Sequence, residues 1–308
     1  MYDIIIIGAG IAGVSAAITA KRRGLKVVVV EKNDVGGKLL LVDEIENFPG
    51  FLSIKGMELA SILKQQLQKF NIKTLTFKEV INVEKGEKRF LVKLSDGRKL
   101  EAKSIILAGG VEHKKLNVKG EELVGKGVSY CAICDGFFFK NKKVAVIGGG
   151  DTAFSYALFL SDLCKKVYLI HRRKEFRAEE IRVNQLKKRK NVEILVPYVV
   201  KEIKGKQKVE GLILENQKTK KIMKLKVDGV FISIGYEPKL NFLKNLDLEF
   251  DENGFVKVDE KMRTNVEGFF AAGDVTGREM QIVVAAAQGC VAALNAARWL
   301  KGEIDWKN

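Results

Sequence analysis

Two cysteines separated by two residues, Cys131 and Cys134, have the spacing best suited to chemistry in this chain. A C-x-x-C pair is typical of a redox-active disulfide or of metal binding. A zinc site needs four ligands, whereas the other two cysteines and both histidines are isolated in the sequence. Asp135 follows the pair, and a carboxylate beside thiols at a helix start can exchange protons with them. We therefore predict a redox-active disulfide, with two buried, inert thiols as the alternative.

Two glycine-rich turns have the spacing that binds the pyrophosphate of a dinucleotide. Each follows a continuous apolar stretch, residues 3–7 or 143–147, and precedes a segment with helical spacing. The first glycine allows the tight bend, the second lets the backbone approach the pyrophosphate, and the third position packs helix on strand. The phosphates then lie at the N-terminus of the helix, where free N–H groups favour anions. The glycines expected in these roles are Gly8, Gly10, Gly13, Gly148 and Gly150.

The strands that follow the two turns end in different residue types, which predicts a different nucleotide for each. Glu31 lies 23 residues after Gly8, where a carboxylate can bind both ribose hydroxyls and repels a 2′-phosphate. Arg172 and Arg173 occupy the matching place after the second turn, where guanidinium groups suit a 2′-phosphate. Arg177, one helical turn further on, can join them. We predict NADP(H) at the second turn, with a solvated basic surface as the alternative.

The composition excludes several classes of protein. The chain has 308 residues, of which 46% are hydrophobic and 30% charged, which suits about two folded domains rather than disorder. Four cysteines are too few for a secreted disulfide scaffold. Continuous apolar strands predict parallel sheets covered on both faces. The apolar run over residues 4–20 is expected to be a buried strand and a helix start, not a targeting or membrane segment, which favours a cytoplasmic location.

The formal net charge of +16 is concentrated in the middle of the chain. Residues 113–240 hold 28 Lys and Arg against 14 Asp and Glu. Such charge raises the possibility of nucleic-acid binding, but no aromatic residues interleave the basic runs at residues 187–190 and 218–221, which we expect to be surface. A basic nucleic-acid-binding flavoprotein is therefore the alternative of a different class.

Taken together, the motifs resemble those of the low-molecular-weight thioredoxin reductases over essentially the whole chain. Cys131-Ala-Ile-Cys134-Asp135-Gly136 matches the dithiol motif of that family, and Gly36-Gly37 with residues 46–50 matches its flavin loop. Residues 148–153, with His171 and the arginines that follow it, resemble the NADPH motif. Gly273-Asp274-Val275 resembles the second FAD motif.

This resemblance implies an α/β fold with two Rossmann-like dinucleotide-binding domains, an NADPH domain being inserted in an FAD domain. The expected bounds are 1–112 and 241–308 for the FAD domain and 113–240 for the NADPH domain. NADPH would reduce FAD, FAD would reduce the Cys131–Cys134 disulfide, and the dithiol would reduce thioredoxin. A homodimer without a bound metal is expected. A glutaredoxin-like or peroxiredoxin-linked carrier in place of thioredoxin is the alternative.

The resemblance also implies individual roles for residues. Cys134 would face the flavin, Cys131 would attack the partner, and Asp135 would donate and accept the proton. FAD would be bound by Gly8, Gly10, Gly13, Glu31, Gly37, Lys38, Asn47, Gly110, Gly273, Asp274, Gln281 and Ile282. NADPH would be bound by Gly148, Gly150, Asp151, Thr152, His171, Arg172, Arg173 and Arg177.

The sequence departs from the family pattern at four places. Lys38 stands where the family has Gln, Ala108-Gly109-Gly110 replaces Ala-Thr-Gly, and Met280-Gln281 replaces Arg-Gln. An acidic residue that is common after the second glycine turn is replaced within Phe154-Ser155-Tyr156. The first three departures concern flavin hydrogen bonding and domain contacts, and the last concerns contacts to the nicotinamide.

Overall fold

The structure is a computed structural model that describes residues 1–42 and 44–306. The chain divides into two compact units. Unit 1 comprises Met1–Glu112 and Glu237–Asn308, and unit 2 comprises His113–Tyr236. Leu240, which the sequence analysis included in the middle segment, packs against the core of unit 1 because its apolar side chain joins the cluster there.

The chain forms six α-helices and nineteen strands within its described residues. The helices are α1 (Ile11–Arg22), α2 (Gly56–Lys69), α3 (Ala132–Asp135), α4 (Asp151–Leu163), α5 (Glu180–Lys187) and α6 (Ile282–Leu300). The strands are β1 (Tyr2–Ile7), β2 (Val27–Val30), β3 (Glu44–Ile45), β4 (Ile54–Lys55), β5 (Lys73–Leu75), β6 (Val80–Lys85), β7 (Phe90–Leu94), β8 (Lys99–Leu107), β9 (Glu112–His113), β10 (Val128–Ser129), β11 (Lys143–Ile147), β12 (Lys166–Ile170), β13 (Val192–Leu195), β14 (Tyr198–Lys204), β15 (Gly211–Asn216), β16 (Ile222–Leu225), β17 (Gly229–Ile232), β18 (Tyr236–Glu237) and β19 (Phe269–Ala271).

Unit 1 is built on a seven-stranded sheet in the order β5-β2-β1-β8-β7-β6, with β19 also paired to β8. Five strands of this sheet are parallel: β5, β2, β1, β8 and β19. Strand β7 pairs antiparallel with β8, and β6 pairs antiparallel with β7. Strands β1 and β2 carry apolar residues on both faces, since each face is covered by its own hydrophobic cluster. The expected buried strand and helix start over residues 4–20 are confirmed as β1 and α1.

Helix α1 packs closely against α6, the last helix of unit 1. Ser15 Oγ on α1 donates a hydrogen bond to the Ala286 carbonyl on α6 at 2.7 Å. A Cβ added at Gly289 would clash with the Ala12 carbonyl, so only glycine allows the two backbones to approach this closely. The start of α6 is thereby fixed beside the first glycine turn, which precedes α1.

Unit 2 repeats the layout of unit 1 around a parallel five-stranded sheet in the order β10-β17-β11-β12-β13. Helix α4 connects β11 to β12 and packs on one face of the sheet, within an apolar cluster that includes Phe154 and Leu160. A three-stranded antiparallel sheet, β14-β15-β16, covers the other face through a second cluster that includes Val200 and Leu214. The strand–turn–helix–strand repeat predicted from the sequence is therefore present in both units.

Among the described residues, one helix, α6, is long and apolar enough to span a membrane by length and composition alone. Core helices of globular proteins pass the same test, and 44% of the apolar window of α6 is buried within the protein. Ala292, Ala293 and Ala296 on this helix are fully buried in the core of unit 1. Helix α6 is therefore a core helix of unit 1 in this structure.

Candidate redox site and nucleotide-binding turns

Cys131 and Cys134 of unit 2 form the predicted disulfide, with their Cα atoms 5.4 Å apart. Cys131 immediately precedes helix α3, and Cys134 lies inside it. The Cys134 backbone N–H donates to Cys131 Sγ at 3.2 Å. A hydrogen bond from a backbone N–H stabilises a sulfur anion more than a neutral thiol, so it favours the thiolate of Cys131 when the disulfide is reduced.

Local hydrogen bonds order the dithiol turn, and the glycine that ends its motif packs against helix α4. The Cys131 N–H donates to the Ser129 hydroxyl at 3.0 Å, and that hydroxyl donates to the Cys131 carbonyl at 3.1 Å. A Cβ added at Gly136 would lie 2.8 Å from the ring of Phe159 on α4. The glycine that ends the dithiol motif is therefore needed for close packing of the turn on this helix.

A buried carboxylate that the sequence analysis did not single out supports the residue before the dithiol. Glu121 is 8% exposed and accepts hydrogen bonds from the backbone N–H groups of Leu116 and Asn117. Its Oε1 also accepts the Tyr130 hydroxyl at 2.7 Å. Burial and this carboxylate raise the pKa of Tyr130. Nothing in the spacing of Glu121 distinguishes it from a surface acid, so only the structure reveals this contact.

The dithiol turn is accessible from solvent. Cys134 is exposed, whereas Cys131 and Asp135 are half-buried. Three large apolar side chains next to the disulfide are also exposed: Ile133 by 48%, Phe137 by 62% and Phe138 by 74%. An exposed disulfide within an apolar surface is suited to exchange with the disulfide of another protein.

The first glycine turn, in unit 1, has the three properties predicted for it. Gly8 has φ +106°, a conformation that side chains disfavour, and a Cβ at Gly13 would clash with the Gly8 carbonyl. A Cβ at Gly10, in contrast, would meet no protein atom within 4 Å, so space for a ligand lies there. Glu31, which is 8% exposed, accepts the backbone N–H groups of Ala9 and Asn33 at 2.7 and 2.8 Å. Its carboxylate therefore lies beside the turn.

The second glycine turn, in unit 2, has the same construction. Gly148 has φ +154°, and a Cβ there would lie 2.8 Å from Ala153, which occupies the third position. A Cβ at Gly150 would meet no protein atom within 4 Å. Asp151 and Thr152, the first two residues of α4, are exposed. The turn and the N-terminus of α4 thus border open space.

Three predicted phosphate-binding arginines surround His171 after β12. Burial, opposed by a hydrogen bond to the Glu175 backbone, lowers the pKa of His171, and the nearby charges of Arg172, Arg173 and Arg177 lower it further. All three arginines are exposed, and none has an acidic side chain within 4 Å in the described part of unit 2. Arg177 lies in an irregular segment before α5, not one helical turn after Arg173, because α5 begins only at Glu180.

Four of the remaining predicted FAD residues form two side-chain pairs in unit 1. Lys38 Nζ is 2.9 Å from Asp274 Oδ2, and Asn47 Nδ2 donates to Gln281 Oε1 at 3.1 Å. Gln281 precedes Ile282, the first residue of α6. A Cβ at Gly37 would lie 3.2 Å from the Gly10 Cα, so the flavin loop touches the first glycine turn. Gly110 follows β8 with open space beside it.

Gln288 on α6 is a structural partner of this site that sequence reasoning missed. Its Oε1 accepts the Gly273 N–H at 2.7 Å, and the side chain is 7% exposed. The Gly273-Asp274 turn follows β19 as a short 3-10 helix, and α6 begins only at Ile282. The buried glutamine therefore fixes the turn that carries Asp274.

The sequence matches the family described as Pyridine nucleotide-disulphide oxidoreductase over residues 2–289. The chain belongs to this family. Thioredoxin reductase of Helicobacter pylori is 44% identical over 310 residues, covering 98% of this chain and 99% of that protein. Thioredoxin reductase of Treponema pallidum is 40% identical over 302 residues, covering 97% of each. Both relatives span the two units.

Solved structures of this oxidoreductase family have the same fold. Thioredoxin reductase of Lactococcus lactis superposes with a TM-score of 0.87 at 36% identity, covering 98% of this chain and 100% of that one. Thioredoxin reductase of T. acidophilum has a TM-score of 0.83 at 38% identity, covering 96% and 97%. The predicted α/β fold with two Rossmann-like dinucleotide-binding domains, and the resemblance on which it was based, are confirmed.

Proposed function

We propose that this chain is an NADPH-dependent thioredoxin-disulfide reductase, with unit 1 as the FAD domain and unit 2 as the NADPH domain. The observation that carries the proposal is the exposed Cys131–Cys134 disulfide in a unit that also holds a dinucleotide turn and three arginines that have no acidic partner among the described residues. Relatives that are thioredoxin reductases by name match the chain over almost its full length, which supports the same substrate. A cytoplasmic location and a homodimeric state, which the sequence analysis and the family resemblance led us to expect, are also part of the proposal.

The residues of unit 1 fit a bound FAD. The open space at Gly10 and the N-terminus of α1 suit its pyrophosphate, and Glu31 suits a ribose. Asp274, which is paired with Lys38, and Gln281, which is bonded to Asn47 at the start of α6, add polar groups for the rest of the cofactor. When bound, a flavin can pass electrons from a nicotinamide to a disulfide.

The residues of unit 2 fit NADPH. The open space at Gly150 and the N-terminus of α4 suit the pyrophosphate. Arg172, Arg173 and Arg177 present guanidinium groups without acidic partners in the described chain, and a 2′-phosphate supplies the missing negative charge. NADH has no such phosphate, which is the physical basis for a preference for NADPH.

The reduced dithiol exchanges with the carrier in two balanced steps. The Cys131 thiolate attacks one sulfur of the carrier disulfide, forming a mixed disulfide while the other carrier sulfur leaves as a thiolate. The Cys134 thiolate then attacks Cys131 Sγ, which closes the Cys131–Cys134 disulfide and releases the second carrier sulfur. The carrier gains two electrons, and the dithiol loses two.

The surrounding residues prepare this exchange. The Cys134 N–H that points at Cys131 Sγ favours the Cys131 thiolate as the nucleophile. Asp135, half-buried next to the pair, supplies the proton that the leaving carrier thiolate takes up and recovers one when Cys134 ionises. The exposed Phe137 and Phe138 provide an apolar surface on which a carrier protein can dock.

The decisive experiment measures NADPH oxidation by the flavin-loaded protein with and without thioredoxin. Wild-type protein is expected to reduce thioredoxin, whereas Cys134→Ser is expected to lose thioredoxin reduction while NADPH still bleaches the flavin absorbance. Ser61→Ala removes an exposed hydroxyl group on α2 and is a control that should behave as wild type. Full thioredoxin reduction by Cys134→Ser would refute the assignment of the dithiol. A panel containing glutaredoxin-like and peroxiredoxin-linked carriers tests the choice of carrier.

A further inference from the structure

Arg182 on α5 lies along the first turn of α4, outside the arginine cluster around His171. Its NH1 donates to Ser155 Oγ at 2.7 Å, and its Nε lies 3.6 Å from Asp151 Oδ1. Asp151 and Ser155 are four residues apart on α4 and therefore share one face of the helix. The guanidinium group is thus held within about one helical turn of the end of α4 that follows the second glycine turn.

The segment that leads to Arg182 is anchored to the same turn by its backbone. The Arg177 N–H donates to the Gly149 carbonyl at 2.8 Å, and the Glu179 N–H donates to Asp151 Oδ1 at 2.8 Å. Gly150, which borders the open space, is the residue between Gly149 and Asp151, the two residues that accept these hydrogen bonds. The position of Arg182 beside this space is therefore fixed by main-chain contacts and does not depend on its long side chain alone.

The carboxylates around Arg182 explain why binding of a phosphate at the start of α4 requires a positive charge there. Asp151 places a carboxylate in the first turn of the helix whose N-terminus is proposed to bind pyrophosphate, and Glu179 adds a second one 3.1 Å from Arg182 Nε. Like charges repel, so these carboxylates oppose a pyrophosphate unless a cation offsets them. Ser155, in the segment where the family commonly has an acidic residue, is neutral and accepts a hydrogen bond from Arg182 without adding a third negative charge.

The guanidinium group also has donors to spare. An arginine side chain carries five N–H groups. Within the described chain, Arg182 uses Nε for Glu179 and NH1 for Ser155, and its NH2 has no protein acceptor. A phosphate that approaches the start of α4 can accept these remaining donors in the bidentate geometry that arginine favours.

We propose that Arg182 binds the pyrophosphate that NADPH and NADH share and offsets the charge of Asp151, whereas Arg172 and Arg173 bind the 2′-phosphate. This inference rests on the proposed function of unit 2 as the NADPH domain. It assigns two sets of arginines to two different phosphate groups, so ligands that carry only one of those groups can separate them.

The test measures equilibrium binding of three ligands to the oxidised, flavin-loaded protein by calorimetry. NADP⁺ carries both phosphate groups, ADP-ribose carries only the pyrophosphate, and 2′-AMP carries only the 2′-phosphate. Arg182→Leu is expected to weaken NADP⁺ and ADP-ribose about tenfold and to leave 2′-AMP unchanged. Arg173→Leu is expected to weaken NADP⁺ and 2′-AMP and to leave ADP-ribose unchanged.

Matched variants separate binding from a purely structural contribution. Arg189→Leu removes an arginine that pairs with Asp162 at the other end of α4, at 2.7 Å, and it should leave all three affinities unchanged. Ser155→Glu keeps Arg182 but places a third carboxylate beside it, in addition to those of Asp151 and Glu179, so it should weaken ADP-ribose binding without a loss of thermal stability. This second variant tests the inference even where Arg182→Leu folds poorly.

Two results would overturn the inference. ADP-ribose binding that is unchanged in both Arg182→Leu and Ser155→Glu would show that Arg182 does not reach the pyrophosphate. Equal weakening of ADP-ribose and 2′-AMP, with a lower melting temperature, would show that Arg182 only supports the packing of α5 on α4. Failure of the proposed function has a different signature, because wild-type protein would then bind none of the three ligands.

Discussion

Lys38 and Asp274 form an ion pair in unit 1, with Nζ 2.9 Å from Oδ2, although they lie 236 residues apart in the sequence. The Asp274 side chain is only 16% exposed and that of Lys38 is 38% exposed. Both residues were predicted to bind FAD, and Lys38 stands where the resembling family has an uncharged glutamine. The pair therefore offsets the negative charge of a carboxylate that we propose to lie beside the anionic cofactor.

Replacing Lys38 with Gln is expected to weaken FAD binding by about three- to tenfold, because the partly buried Asp274 carboxylate then lacks its cation. The measurement is the dissociation constant of FAD from the apoprotein, followed by flavin fluorescence. Lys93→Gln is the control, since Lys93 forms a similar ion pair with Glu84 on the β6–β7 hairpin. Equal FAD affinities in the two variants would contradict the prediction.

The four cysteines are expected to react with iodoacetamide in a fixed order. After mild reduction, Cys134 should react rapidly because it is exposed, and Cys131 should react rapidly because its thiolate is stabilised. Cys290 is half-buried and should react more slowly. Cys164 should react last, because burial raises the pKa of its thiol to about 11 and leaves the side chain 5% exposed.

The measurement follows labelling by iodoacetamide at pH 7.5, with samples taken at successive times, digested with trypsin and analysed by mass spectrometry. Protein that has not been reduced serves as the control, because the Cys131–Cys134 disulfide should then protect both residues. Labelling of Cys164 ahead of Cys290 in the folded protein would contradict the buried position of the Cys164 side chain.

Replacing Arg172 and Arg173 together with Leu is expected to lower kcat/KM for NADPH by about 10²-fold, because two charge-assisted contacts to the 2′-phosphate are lost. kcat/KM for NADH should change little, since NADH has no phosphate at that position. Steady-state rates with both cofactors provide the measurement. A parallel loss with NADPH and NADH would mean that these arginines do not recognise the 2′-phosphate.

Reduction of the carrier protein is expected to slow as salt is added. Residues 113–240 hold an excess of 14 positive charges, more than a single 2′-phosphate and pyrophosphate require. Such an excess attracts an acidic carrier, and salt screens the attraction over about 8–10 Å at physiological ionic strength. kcat/KM for the carrier should therefore fall between 20 and 300 mM salt (roughly the range over which screening sets in).

A small uncharged disulfide reduced by the same dithiol is the control for this salt dependence. Its reduction should slow much less, because salt effects on NADPH and on the flavin are common to both assays. If carrier and neutral disulfide lose activity in parallel, the positive charge of unit 2 serves solubility and not the recognition of a carrier.

The sequence by itself determined the features that depend on neighbouring residues. Strands β1 and β11, the glycine turns after them and the helices that follow are specified by short apolar runs and by glycine spacing. The Cys131–Cys134 disulfide is equally local, because two intervening residues bring the cysteines together at the start of a helix. The roles assigned to the individual nucleotide-binding residues stay predictions.

Tertiary structure alone decided which side chains meet across long separations. The pairing of Lys38 with Asp274, of Gln288 with Gly273 and of Glu121 with Tyr130 depends on how sheets and helices stack. Arg182 reads in sequence as one more basic residue on a surface helix, yet its guanidinium group contacts Ser155 and Asp151 of α4, close to the second glycine turn. No periodicity encodes such contacts, because they arise when packing of apolar faces fixes the distance between elements, and polar side chains then find partners within reach.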